Sequence, residues 1–276
     1  MDFSWLPAKR NCRCAPGRLN CLTRAELLKL ASTIVDVKPR QRWKEKHGGR
    51  FIPQVPEKFI KLFSHPGETV LDPFCGSGTT NLVARQLGRN SIGIDVNPYS
   101  VELACHRLAQ VDLGEGPLPL TWHEVVEGNC LDVLPLIPAG SVDLIVTSPP
   151  YFDVVDYGDD HSEQWGNIHD YGLFLEKMRA AFVALHRVLK PTGCMVVVTQ
   201  DVFKRYAKCP LHADYIFICR PLGFEVISTQ VYVLNYSTGG RLVYGYPRSY
   251  YPKNDHEFIV VLRKDGTSSN NSGEHV

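Results

Sequence analysis

Apolar side chains fall into two alternating patterns between residues 57 and 200. Glu57–Phe63, Thr79–Leu87, Pro98–Ala109 and Gly172–Leu189 read as helices, the last a long amphipathic one. Between them lie short apolar runs at Val70–Asp72, Ser91–Asp95, His123–Glu127, Val142–Thr147 and Cys194–Thr199, which read as strands. Pro98 opens its helix, and Lys190-Pro191-Thr192-Gly193 ends the long one. A Pro/Gly-rich loop covers Gly114–Pro119. This alternation predicts an α/β fold, a doubly wound, mostly parallel sheet with helices on both faces. Further on, Phe224–Leu234 and Glu257–Arg263 are β-rich with no helix between them, so an antiparallel edge strand is expected.

Residues 1–50 read as an arm. Within it Thr23-Arg24-Ala25-Glu26 is a capping box that opens a short helix, and Lys38–Lys46 gathers positive charge around Trp43. An α/β body then spans 51–264, and the polar segment 265–276 is expected to be disordered. No internal repeat is visible.

The 276 residues, 44% of them hydrophobic, suit one large domain. No apolar run approaches the roughly 20 residues of a membrane span, and no secretory segment opens the chain. A soluble, cytoplasmic protein is the expectation. The net charge of +1 restricts any nucleic-acid footprint to local patches. Two candidates mix cations with rings: Arg42, Trp43 and Lys44 in the arm, and Arg241, Tyr244, Arg248 and Lys253 in the loop 235–254. For the first, a solvated loop over a packed Trp43 is an equal reading. Nine irregularly spaced cysteines suggest reduced thiols. Cys12, Cys14 and Cys21 could join His47 around a metal, but they lack paired C-x-x-C spacing, so free thiols and no metal are expected.

Two strand ends carry the chemistry. The first is Asp72-Pro73-Phe74-Cys75-Gly76-Ser77-Gly78-Thr79-Thr80. Its Gly76-x-Gly78 turn, between strand and helix, lets a ligand approach the backbone and aims helix N–H groups at it. Asp95, 17 residues after Gly78, ends the next strand, where a carboxylate can accept from ribose hydroxyls. A dinucleotide would also fit such a turn, which keeps an NAD-dependent oxidoreductase in view. Against it, Asn81 stands where the third glycine of G-x-G-x-x-G belongs, and Asp72 is awkward beside a pyrophosphate. A carboxylate there suits the ammonium of S-adenosylmethionine, unless Asp72 merely caps Thr79 or Thr80.

The second strand end is Ser148-Pro149-Pro150-Tyr151. Two prolines fix φ and leave rigid outward carbonyls. The Ser148 hydroxyl and the Pro149 carbonyl can both accept from one exocyclic amino group, and Tyr151 offers a stacking face to a base that has left its duplex.

Together Asp72–Thr80 and Thr147–Tyr151 resemble the amino-methyltransferases of DNA, which methylate cytosine N4 or adenine N6. The resemblance covers most of residues 51–264. It implies a seven-stranded, Rossmann-like class I methyltransferase fold with S-adenosylmethionine as cofactor. Phe51–Glu57, with Pro53, resembles the segment covering the methionine end of that cofactor. Gly93–Asn97 resembles the second cofactor motif, adding Val96 and Asn97 to Asp95. Gly128–Leu134 resembles the third, beside the adenine ring, with Asn129 and Cys130; Asn129 departs from the usual aspartate. His256-Glu257-Phe258 resembles the last-strand signature, for which a structural role is favoured.

Ser148, where adenine-N6 members mostly carry Asp or Asn, resembles the cytosine-N4 type. The expected function is therefore methylation of cytosine N4 in flipped-out DNA, in the cytoplasm at the nucleoid, with double-stranded DNA as partner. A cognate restriction endonuclease is a candidate second partner. An adenine-N6 or RNA-directed member of the superfamily is the alternative. Ring-carbon methylation would need a cysteine nucleophile, and the fourth motif has none. A non-catalytic nucleic-acid binder is disfavoured by intact Gly76, Gly78, Ser148 and Tyr151.

Overall fold

A computed structural model describes residues 1, 3–15, 17–35, 52–110, 120–153, 164–204, 207–233, 243–244, 251–252 and 256–266. In chain order the elements are α1 (Arg24–Leu30), β1 (Ile34–Val35), α2 (Gln54–Phe63), β2 (Thr69–Asp72), α3 (Thr79–Gln86) and β3 (Asn90–Asp95). Next come α4 (Pro98–Ala109), β4 (His123–Glu127), α5 (Cys130–Val133), β5 (Val142–Thr147), α6 (Tyr171–Val188) and β6 (Leu189–Thr199). The rest are β7 (Val202–Lys204), β8 (Ala207–Cys209), α7 (Leu211–Cys219), β9 (Phe224–Val233), β10 (Val243–Tyr244), β11 (Tyr251–Pro252) and β12 (His256–Lys264).

Helices begin where the sequence offers partners to free N–H groups. Thr23 and Glu26 close a reciprocal capping box on α1. Asn97 accepts from Ser100 N–H ahead of Pro98, and Asp170 accepts from Leu173 N–H at the start of α6. Along α6, Phe174, Met178, Ala181, Phe182, Leu185 and Val188 form the apolar stripe that seats it on the sheet.

The central strands bury both faces, as the part of a sheet covered by helices on either side must. Leu71, Ile145, Met195, Val197, Val260 and Leu262 pack with α6 and α7 on one side. Their neighbours Val70, Leu144, Val146, Val196, Val198, Ile259 and Val261 pack with α2 and α3 on the other. The order is β1-β9-β12-β6-β5-β2-β3-β4. The α/β class matches expectation, and two details differ. The sheet has eight strands rather than seven, because β1 of the arm pairs in parallel with β9. The antiparallel strand is β12, which inserts between β6 and β9 instead of lying at the edge. Helix α7 carries no stripe at helical spacing, since its apolar residues fall all round, and so left no signature in the pattern.

The arm is tied to the body at several points. The buried Lys58 ammonium donates to the Ser32 carbonyl at 2.6 Å and to Gln230 Oε1 at 2.7 Å, joining arm, α2 and β9. Asn20 Nδ2 donates to the Leu62 carbonyl at 2.9 Å. All nine cysteines are free thiols. Three of them are nevertheless not scattered: Cys12, Cys14 and Cys21 converge on His65. His47 lies outside the described residues, as do Arg42, Trp43, Lys44, Arg241, Arg248 and Lys253. Tyr244 is described only through its backbone in β10.

Candidate active site

β2 and β5 are neighbours, paired in parallel at Val70↔Leu144 and Leu71↔Ile145. From β2 the sheet continues outward through β3 to β4, and from β5 it continues the opposite way through β6. Their following helices, α3 and α6, pack on opposite faces. Such a reversal opens a crevice at the carboxyl ends of the two strands, where open α/β sheets bind ligands. Both motifs singled out in the sequence leave from these two strand ends.

Asp72 joins the two motifs. Its Oδ1 accepts from Thr147 Oγ1 at 2.7 Å and from Phe74 N–H at 3.2 Å, and its Oδ2 accepts from Thr80 Oγ1 at 2.7 Å. The side chain is 1% exposed, so both oxygens serve the frame of the crevice. The contact to Thr80 runs through its hydroxyl rather than its backbone N–H. Burial pushes the carboxyl up to about 6, against the pull of the Thr80 and Thr147 hydroxyls. Between its ordinary 3.8 and about 6, the folded chain holds a proton that the unfolded chain releases. Its unfavourable share of stability therefore grows as pH rises through that window, to on the order of 3 kcal/mol above it. Asp72→Asn should remove this component: urea unfolding at pH 5 and pH 7.5 should show a smaller loss of stability with pH than in the parent. An identical pH dependence would contradict the assignment.

The glycine turn is braced from three sides. Asp95 Oδ2 accepts from Gly76 N–H at 2.8 Å, while its Oδ1 accepts from Asn97 N–H at 2.9 Å. The buried guanidinium of Arg107 donates to the Ser77 carbonyl and, at 2.7 Å, to Ser77 Oγ. Gly78 caps α3 at φ 75°, and a Cβ there would lie 2.8 Å from Ala104 Cβ. Gly78→Ala should thus cost about 1–3 kcal/mol, read as a drop in urea midpoint at unchanged slope. Gly76 is different: nothing among the described residues lies within 4 Å of where its Cβ would project. An open cradle over an acidic strand end, with the uncapped first turn of α3 behind it, fits the nucleoside and amino-acid parts of S-adenosylmethionine.

Asn81, which breaks the G-x-G-x-x-G pattern, packs where a third glycine would give close approach. The ideal Cβ of Gly93 would lie 2.7 Å from Asn81 Oδ1, and Asn81 Nδ2 donates to Ser91 Oγ at 3.2 Å. Here the close approach is supplied by Gly93 on the strand. Thr79 and Thr80 are buried in the first turn of α3.

The remaining cofactor candidates line the neighbouring strand ends. Gly128 N–H donates to the Asp95 carbonyl at 2.9 Å, bringing Asn129 and Cys130 beside the end of β3. Asn129 Oδ1 accepts from Leu131 N–H at 3.0 Å, so its carbonyl works as the cap of α5. Cys130 is buried, which pushes its thiol up to about 12. Val96 is half-buried just past β3, and Pro53 stands at the start of α2. Phe74 meets Trp165 edge-on, with centroids 5.5 Å apart. This brings the segment after the second motif against the first.

At the end of β5, Pro149 is buried while Ser148, Pro150 and Tyr151 are half-buried. The Tyr151 hydroxyl donates to Glu257 Oε1 at 2.8 Å. Glu257 sits at the start of β12, which runs antiparallel to β6 and so begins at the carboxyl end of the parallel strands. Burial raises the Glu257 carboxyl, partly offset by the Tyr151 hydroxyl. Tyr151→Phe keeps the ring and removes the donor, which should cost about 1–3 kcal/mol by unfolding, with non-additive coupling to Glu257→Gln. Additive effects would show that the bond carries no energy.

Asp153, just past the second strand end, is engaged by His169 Nδ1 at 3.0 Å and by the Lys204 ammonium.

Sequence reading did not single out Arg107, the bond from Thr147 to Asp72 or the bond from Tyr151 to Glu257. Arg107 alone left a signal, as a cation near the end of an otherwise half-apolar helix.

The profile described as DNA methylase, covering N6 and N4 methyltransferases, matches residues 8–106 and 142–276. A general methyltransferase-domain profile matches residues 71–197. The Type II methyltransferase M.MjaII of Methanocaldococcus jannaschii is 40% identical over 79 residues, which is 27% of this chain and 15% of that protein. The chain spans less than a third of the length of the curated relatives it matches. Among solved structures, the DNA modification methylase TTHA0409 of Thermus thermophilus, complexed with S-adenosyl-L-methionine, is 30% identical over 51% of this chain and 53% of that one, at TM-score 0.38. TrmN of Thermus thermophilus covers 79% of this chain and 50% of its own at TM-score 0.52; its 18% identity speaks for the fold alone. Matched by the DNA methylase profile over most of its length, the chain belongs to the N6/N4 amino-methyltransferase family, whose methyl donor is S-adenosylmethionine.

Proposed function

We propose that the chain is a DNA methyltransferase that methylates the exocyclic N4 of cytosine in a flipped-out base. The observation that carries this reading is the adjacency of the two strand ends, joined by the 2.7 Å hydrogen bond from Thr147 Oγ1 to Asp72 Oδ1. Bound at the glycine turn, S-adenosylmethionine supplies an electrophilic methyl group. The chain's own part is to hold the acceptor amine beside it. Ser148 Oγ and the Pro149 carbonyl accept the two amino hydrogens, which concentrates the nitrogen lone pair toward the donor. Tyr151 stacks on the base, and Glu257 fixes the ring by its hydroxyl. No strong base is needed, since proximity and exclusion of water supply most of the rate. Ser148 supports cytosine over adenine as the target.

The cofactor-binding set is Pro53, Asp72, Pro73, Phe74, Gly76, Ser77, Gly78, Thr79, Thr80, Asp95, Val96, Asn97, Asn129 and Cys130. Within it Asp95 acts on the ribose, while Asp72 and Asn129 act as framework. Recognition of DNA falls to the arm around Arg42, Trp43 and Lys44 and to the loop 235–254 with Arg241, Tyr244, Arg248 and Lys253, at the nucleoid in the cytoplasm. Among the described residues no helix is long and apolar enough to cross a membrane.

The test is transfer of labelled methyl from S-adenosylmethionine to duplex DNA, single-stranded DNA and RNA of matched sequence. Label in duplex DNA is expected, and label confined to RNA would overturn the choice of polymer.

A further inference from the structure

We propose that Cys12, Cys14, Cys21 and His65 bind one structural zinc ion that clasps the arm to the loop between α2 and β2. Their three sulfurs and a ring nitrogen all lie within 4.8 Å of one another. Individual edges are 3.4 Å from Cys14 Sγ to Cys21 Sγ, 3.4 Å from Cys12 Sγ to His65 Nδ1 and 3.2 Å from Cys21 Sγ to His65 Nδ1. Tetrahedral zinc, with bonds of about 2.3 Å to sulfur and about 2.0 Å to nitrogen, requires edges of roughly 3.5–3.8 Å. These three edges need only a small expansion, and the other separations, all within 4.8 Å, close on the ion by about an ångström at most.

His65 is fully buried, and its orientation is set from behind. Its Nε2 lies 2.8 Å from the Arg18 carbonyl, which can only accept, so the proton sits on Nε2 and the Nδ1 lone pair faces the three sulfurs. This is the outer contact that orients a metal-binding histidine. The surrounding backbone is equally fixed. Asn11 N–H donates to the Pro66 carbonyl at 2.6 Å, His65 N–H donates to Glu68 Oε2 at 2.8 Å, and Arg10 pairs with Glu68. A Cβ on Gly67 would lie 2.5 Å from the Lys9 carbonyl oxygen, so the arm lies flush on the loop.

Four protein ligands leave no open position for a substrate, which makes the site structural. The spacing of Cys12, Cys14 and Cys21 argued against a metal because it lacks C-x-x-C pairs. The fold answers by bringing the fourth group from 44 residues beyond Cys21. The zinc would fix the first part of the arm, Cys12 to Cys21, against the loop between α2 and β2.

The test is zinc content of the full-length protein expressed with zinc, together with the spectrum after exchange for cobalt(II). One zinc per chain is expected, with the strong visible bands of tetrahedral cobalt and a thiolate charge-transfer band. Cys105→Ser, at an exposed thiol on α4, should keep the metal, whereas Cys14→Ser and His65→Gln should lose it. Chelation of the parent should lower its melting temperature. The cobalt spectrum of the parent keeps the proposal testable if the variants fail to fold. A metal-free parent, a cobalt spectrum lacking thiolate bands, or a Cys14–Cys21 disulfide found by mass would overturn it.

Discussion

Ser148→Ala should lower kcat for methyl transfer by about 100- to 1,000-fold, the usual loss when one preorganised polar contact to the reacting group is removed. The dissociation constant for S-adenosylmethionine should stay unchanged. The asymmetry follows from position. Ser148 follows β5, whereas the glycine turn follows β2 and its Asp95 brace ends β3. The side chain is half-buried and small, so its loss leaves the frame built on Asp72, Thr80 and Thr147 untouched. Tyr151→Ala should lose kcat as well, by removing the stacking face along with the bond to Glu257. Single-turnover rates and calorimetric titration with S-adenosylmethionine, run on each variant, separate the two effects. An unchanged kcat, or a loss explained by weaker cofactor binding, would contradict the role of the second strand end.

Asp95→Ala should do the reverse. The carboxylate already accepts from the Gly76 and Asn97 N–H groups, which fixes the turn and aims it at the crevice. Removing it takes away the proposed ribose contacts and frees the turn. Hydrogen bonds to a charged group contribute about 1.5–3 kcal/mol each, so loss of two should raise the dissociation constant at least roughly 100-fold. Asp95→Asn keeps an acceptor for Gly76 N–H without the charge and should fall between the two. Saturating cofactor should restore much of the rate in both variants. An unchanged dissociation constant would remove Asp95 from the cofactor site.

The strand ends were legible because local chemistry marks them. A Gly-rich turn and a Pro-Pro step each follow an apolar run, and both punctuate the chain whatever the rest of the fold does. Helices with a cap and an apolar stripe were legible for the same reason, as α4 and α6 show. Features made by distant pairing were not. Insertion of β12 between β6 and β9 depends on register with strands far away in sequence, and β1 is only two residues long. The Tyr151–Glu257 bond spans 106 residues and the approach of Cys21 to His65 spans 44, and no spacing rule reaches that far. Asn81 shows a subtler failure: the missing glycine counted against a dinucleotide turn, yet its packing role had passed to Gly93 on the facing strand.

In the proposed reaction the Ser148–Tyr151 segment delivers an exocyclic amine to a donor held at Gly76 and Asp95. The most direct measurement is mass analysis of nucleosides digested from duplex DNA after reaction with the purified chain and labelled S-adenosylmethionine. N4-methylcytosine is expected, and it should be absent from the Ser148→Ala reaction. Label on a ring carbon, as 5-methylcytosine, would contradict it, and N6-methyladenine would keep the amine chemistry while overturning the choice of base.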